Sequence, residues 1–178
     1  MKQKRELVLY YVIKRFCEKY NRPLEGHKKL QKLLFLVEHF DLVKNKPTPS
    51  SGLTGYVFRI WYYGPYSSEL KDDIVELVKE GIIEERVEYI DDFLYTDEFP
   101  KRIYRYLPKK QLNVEGKLDR QTITKIDRII ELFGDKTPYE LEKIVSNLLN
   151  LTPLKKLEVW GMTLDEYILS ETQHNNPA

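Results

Sequence analysis

Apolar positions in residues 4–20 recur at helical spacing, with Leu9, Val12, Ile13, Phe16 and Tyr20 on one face, and predict an amphipathic helix. Asn21-Arg22-Pro23 ends it, because proline cannot continue the helical hydrogen-bond ladder. A second helix is predicted from His27 to Phe40 on the stripe Leu30, Leu33, Leu34 and Val37. Lys44 to Gly55, rich in Pro, Ser, Thr and Gly, breaks the periodicity and predicts a mobile surface loop. From Tyr56 to Tyr63 the content turns β-branched and aromatic, as in a strand. Phe58, Ile60 and Tyr62 share one face of that strand, and Val57, Arg59, Trp61 and Tyr63 share the other. Gly64-Pro65 predicts a turn, and Ser67 an N-cap for a third helix running to Glu80. That helix buries Leu70, Ile74, Leu77 and Val78 and stops at Gly81.

Two strands follow. In the first, Ile83, Val87 and Tyr89 alternate with Glu84, Arg86 and Glu88; the second, Lys101 to Leu107, carries Tyr104 and Tyr106 on one face. Asp91 to Pro100 would connect them as a wing. A polar connector, Pro108 to Lys117, then leads into an all-helical half with the stripes Ile123, Ile126, Ile130, Phe133 and Leu141, Ile144, Val145, Leu148. Thr137-Pro-Tyr-Glu140 is a capping box with proline at the first helical position, and Thr163-Leu-Asp-Glu166 repeats the box before a short last helix. The fold class read from this order is α+β: a winged-helix-like part over residues 1–107, a connector over 108–117, a helical subdomain over 118–169 and a frayed polar tail over 170–178.

Composition narrows the function classes. The chain has 178 residues, and Lys plus Arg (29) nearly cancel Asp plus Glu (28), so no global field draws it to nucleic acid or to an anionic membrane. Cys17 is the only cysteine, which fits a reducing cytoplasm. The run Leu7 to Ile13 meets Lys14 and Arg15 at once and has no cleavage-site pattern, and no stretch approaches the ~20 apolar residues of a membrane span. A soluble, cytoplasmic protein without a membrane partner is expected. Ala178 is the only alanine among many Lys, Glu, Ile and Leu and 13 Tyr, a usage compatible with an AT-rich thermophile or its virus.

Candidate chemistry is sparse. Cys17 sits beside the buried stripe of the first helix with nothing nearby to activate it. His27 and His39 lie at opposite ends of the second helix, and His39, Glu38 and Asp41 do not share a helical face, so no metal site is assigned. Adjacent Asp72-Asp73 diverge by about 100° on a helix, and Asp91-Asp92 fall in a turn. With no phosphate loop, nucleophile elbow or Cys-x-x-Cys pair, no catalytic residue and no cofactor are assigned, and a hydrolase or nuclease is a minor alternative.

Two motifs carry more: Lys28-Lys29-Leu30-Gln31-Lys32-Leu33-Leu34 and Tyr63-Gly64-Pro65-Tyr66-Ser67. On these pieces the chain resembles the YwgA-like proteins and, more distantly, the SocA/Panacea antitoxin-like domain, over roughly residues 27–107. The resemblance implies a winged-helix-like regulatory module and brings no catalytic residues with it. Towards the antitoxin-like domain the chain departs at Tyr66 and Ser67, where that group continues the Gly-Pro turn with an apolar residue and a second proline.

A protein-interaction role fits the charge pattern. Trp61, Tyr63 and Tyr66 gather near a turn, with Phe93, Tyr95 and Phe99 in the wing, and aromatics are enriched at binding hot spots; packing of the strand-turn-helix corner is the plainer use of the same rings. The third helix is acidic, with Asp73 and Glu76 as candidate contacts to an unidentified protein partner. The alternative is a DNA-binding transcriptional regulator using Lys28, Lys29, Lys32, Lys101, Arg102 and Arg105, although an acidic reading helix opposes phosphate. Lysines on a solvated face are the simpler account of the first three. A homodimer through the two C-terminal stripes is open to either reading.

Overall fold

From Lys29 to His39 every residue of one helix is buried, and the rest of the molecule is arranged around it. The computed structural model describes residues 2–90 and 101–174. In chain order its elements are α1 (Lys4–Tyr20), β1 (Leu24–Glu25), the buried helix α2 (His27–His39), β2 (Phe40–Asp41), β3 (Lys46–Pro47), β4 (Arg59–Trp61), β5 (Gly64–Tyr66), α3 (Ser68–Lys79), β6 (Ile83–Ile90), β7 (Lys101–Pro108), α4 (Arg120–Phe133), α5 (Pro138–Leu148), α6 (Pro153–Glu158) and α7 (Leu164–His174). The α+β class is as read from the sequence. The wing residues Asp91 to Pro100, with Phe93, Tyr95 and Phe99, lie outside the described residues, as do Asn175 to Ala178 of the tail.

The main sheet is antiparallel with strand order β1-β7-β6. Its register pairs Leu24 with Tyr106 and Val87 with Tyr104. α1 packs on β7, α3 and α4, while α2 packs on α4, α5 and β5. One apolar core runs through all of these, from Val8, Ile13 and Phe16 through Leu33, Leu34 and Leu36 to Ile126, Ile130, Leu141, Val145 and Tyr167. Each such side chain contributes about 1.5–3 kcal/mol through burial. The core therefore crosses the 108–117 connector without a break. The stripes of α4 and α5 bury Ile126, Ile130, Leu141 and Val145 against the N-terminal helices, so these residues are not free to form a homodimer face. No helix among the described residues is long and apolar enough to cross a membrane.

Both predicted capping boxes are formed. Thr137 N donates to Glu140 and Glu140 N to Thr137 Oγ1, and Thr163 and Glu166 do the same. Ser67 occupies the N-cap of α3, but its hydroxyl donates to Glu69 and does not cap the helix.

Two local readings need correction. The segment 44–55 is not a loose loop: β2 and β3 pair within and beside it, and Leu53 and Thr54 are buried. Its fastening is Glu38, whose carboxylate accepts from Ser50 Oγ at 2.6 Å, from Gly52 N, from Thr54 N at 2.7 Å and from the Thr54 hydroxyl. The second correction concerns the aromatic strand. Its turn is Tyr62-Tyr63, and Gly64-Pro65-Tyr66 is the returning strand, with Trp61 paired to Gly64 and Arg59 to Tyr66. Gly64 makes the tight return possible at φ +87°, a backbone conformation that other residues adopt with strain. Proline is tolerated beside it because β5 is an edge strand.

Candidate functional site

α2 presents His27, Lys28, Gln31 and Lys32 on one face of its first turns, at helical spacings of one, four and five. Opposite this face stands the β4–β5 hairpin. Together they enclose a cavity of about 580 Å³ lined also by Trp61, Tyr62, Tyr63, Gly64 and Tyr66. Gln31 joins the two walls. Its Nε2 donates to Ser67 O at 2.8 Å, and its Oε1 accepts from Ser67 N at 2.9 Å, so one amide closes the β5–α3 junction as a backbone partner would.

The rim is aromatic and open to solvent. Tyr62 is 72% exposed, Tyr63 53% and Trp160 45%, in a molecule whose other large rings are mostly inside. Trp61 and Trp160 meet edge to face at 5.3 Å between centroids, and Tyr62 meets Tyr63 at 5.2 Å and Trp160 at 6.4 Å in the same edge-to-face manner. Trp160 arrives because residues 161–164 run along β4: Ile60 N donates to Met162 O, Gly161 N to Ile60 O and Leu164 N to Phe58 O, each at 2.9 Å. The Lys28 ammonium lies 4.0 Å over the Tyr63 ring and donates to Glu142 Oε2 at 2.7 Å.

The floor is basic and buried. Lys32 is buried, and its ammonium donates to Pro65 O at 2.8 Å. Burial lowers its pKa to about 7, with Lys28 and Lys156 acting in the same direction and Glu142 against. His27 is lowered to about 4 by burial and by Lys71, and its Nε2 is buried with no hydrogen-bond partner among the described residues.

The structure divides the residues singled out from the sequence. Trp61, Tyr63 and Tyr66 come together at this cavity. Asp73 and Glu76, one turn apart on α3, separate. Asp73 is buried between Arg5, at 3.0 and 3.1 Å, and the Tyr56 hydroxyl at 2.8 Å, whereas Glu76 is exposed. Asp73 is a structural carboxylate and does not share an exposed acidic face with Glu76. The six basic candidates also separate. Lys29 is buried and bonded to Glu25 at 2.8 Å, and Lys32 is buried at the cavity floor, so neither reaches a surface phosphate. Lys28 is engaged by Glu142 and Tyr63, while β7 exposes Lys101 and Arg102 and holds Arg105 against Glu88 at 2.9 Å.

Tyr62, Trp160, His27 and Gln31 belong to the site and are absent from the sequence-derived candidates. Gly64-Pro65 signals a turn nearby, but Tyr62-Tyr63 lacks the Asn-Gly or Asp-Gly chemistry by which a two-residue hairpin loop is read from sequence. Trp160 gives no local signal, because it is about 100 residues distant along the chain and arrives by backbone pairing. Elsewhere, His39 Nδ1 donates to Thr48 O at 3.1 Å and the ring stacks on Phe35, and burial raises the Cys17 thiol to about 11, which suits packing and not reactivity.

A buried, polar-studded helix stands beside an aromatic cavity in a fold of mixed helix and strand. The family model of the antitoxin SocA-like Panacea domain matches residues 30–148, well over half of the chain, and the chain belongs to that family. The match begins within α2 and takes in Gln31, Lys32 and the hairpin, while His27 and Lys28 of the cavity and Trp160 of the rim lie outside it. It bears out the more distant of the two resemblances; the YwgA-like one is not confirmed. No curated protein and no solved structure matches the chain.

Proposed function

We propose that this chain is a non-enzymatic regulatory module of winged-helix type that acts by docking a protein partner, in the manner of an antitoxin. The observation that carries the reading is the exposed aromatic rim of Tyr62, Tyr63 and Trp160 around a preformed cavity. Large rings left in water on a rigid hairpin are the anchors that interfaces use, and each is worth about 2 kcal/mol or more where it becomes fully desolvated. Membership of the antitoxin-like family supports a protein as the partner. The winged-helix assignment is supported by the order α1, β1, α2, α3, β6, β7 and the sheet order β1-β7-β6, with β2 to β5 inserted between α2 and α3.

DNA docking in the usual winged-helix pose is disfavoured, because α3 exposes Asp72 and Glu76 where phosphates would pass and the basic residues of α2 are engaged internally. Co-expression with the product of the adjacent reading frame tests the protein-partner reading. Growth inhibition by that product is relieved by the wild-type chain and not by a Tyr62→Ala, Tyr63→Ala, Trp160→Ala triple variant at equal soluble level. Equal rescue by the triple variant removes the aromatic rim from the reading, and no rescue by the wild type removes the antitoxin role.

A further inference from the structure

A lysine ammonium has three N–H donors and a full charge, and inside a protein it ordinarily lies against a carboxylate. Lys29 follows this rule through Glu25 at 2.8 Å. Lys32, only 2% exposed, does not: among the described residues its ammonium makes one hydrogen bond, to a carbonyl, and no ion pair. The nearby Glu142 accepts instead from Lys28 Nζ at 2.7 Å. Lys28 and Lys156 add further positive charge around the site. Among the described residues no anion pairs with Lys32.

The space for one lies beside it. Lys32 lines the cavity of about 580 Å³, whose walls include the rings of Trp61, Tyr63 and Tyr66 and the ring of His27, whose Nε2 has no hydrogen-bond partner among the described residues. That volume lies in the range of sites that take one compact group.

We propose that the cavity receives a carboxylate carried beside an apolar or aromatic side chain on the partner polypeptide, the carboxylate pairing with the Lys32 ammonium and the apolar group packing among Trp61, Tyr63 and Tyr66. The inference rests on the partner-docking reading and adds the chemistry of the anchor. It also couples binding to protons. The free Lys32 titrates at about 7, so above that pH the incoming carboxylate draws a proton onto it, with Glu142 of α5 assisting and Lys28 of α2 and Lys156 of α6 opposing; His27, at about 4, stays neutral.

Three probes test this against the full chain, followed by the fluorescence of Trp61 and Trp160: N-acetyl-Gly-Ser-Leu-Phe as free acid, the same peptide as amide, and N-acetyl-Gly-Glu-Leu-Phe amide. At pH 6.5 at least one of the two carboxylate peptides binds tenfold or more tighter than the Ser amide. Which one does so separates a chain-terminal carboxylate from a side-chain one. In Lys32→Met the preference falls to within twofold. If Lys32→Met loses cooperative unfolding, calorimetry of the wild type at pH 8 in two buffers of different ionisation enthalpy takes its place, with uptake close to one proton per peptide expected. Equal binding of all three peptides, no fluorescence change up to millimolar peptide, an undiminished preference in Lys32→Met or no proton uptake would each overturn the carboxylate anchor. Rescue that still depends on Tyr62, Tyr63 and Trp160 would then leave the docking reading standing alone.

Discussion

The two halves of α2 bury opposite charges in opposite ways. In its last turn Glu38 is fully enclosed, and its carboxylate takes hydrogen bonds from Ser50, Gly52 and Thr54. In its first half Lys32 is almost as deeply enclosed, yet among the described residues its ammonium has one carbonyl partner, and the side chain lines a cavity. Burial opposes the charge at Glu38, and the bonds from Ser50, Thr54 and Gly52 outweigh it and hold the carboxyl below its ordinary value; at Lys32 burial wins. A buried charge satisfied by its own chain fastens a loop. One with donors to spare beside open volume is placed for recognition.

The sharpest way to break this contrast is Glu38→Ala, which strands the donors of Gly52 and Thr54 inside the protein. Destabilisation of about 3–5 kcal/mol is expected by urea unfolding, together with proteolytic cleavage between residues 44 and 55. Acid should release the same loop. The folded carboxyl sits below the ordinary 4.5, so its contribution is complete above that pH and is lost as pH falls through the folded value. Thr54→Val removes one hydroxyl donor to Glu38 and is expected to cost about 1–2 kcal/mol in the same measurement.

Lys32→Met is expected to lie within about 1 kcal/mol of the wild type at neutral pH, because lost charge burial offsets the lost bond to Pro65 O. Its signature is in the pH dependence. With a folded value of about 7 against an ordinary 10.5, the unfolded chain holds more protons on Lys32 between those values, so Lys32 makes wild-type stability rise with pH across that window. The slope reaches at most about 1.4 kcal/mol per pH unit and vanishes in the variant. Glu76→Lys, on the exposed face of α3, should change stability by less than about 0.5 kcal/mol.

Much of this was legible in the chain. The stripe Leu30, Leu33, Leu34, Val37 and the two Thr-x-x-Glu boxes placed α2, α5 and α7, because periodicity and capping are local. Two features were not. Lysines at the start of a helix read as solvated, since only tertiary packing reveals that β5 and α5 cover Lys32. Likewise a Pro-, Ser- and Gly-rich segment reads as loose when its hydrogen-bond partner, Glu38, lies 12 to 16 residues earlier. Trp61, Tyr63 and Tyr66 were legible as a cluster, but the strand alternation put the turn after Tyr63, whereas the backbone turns at Tyr62-Tyr63 and so throws both rings outward.

The most direct test of the open half of α2 as the docking site is isothermal titration of the purified adjacent-frame product into the wild type and into a Tyr63→Ala, Trp160→Ala double variant. The account predicts affinity weakened by about 100-fold or more with an unchanged melting temperature. Equal affinity for the two chains would contradict it.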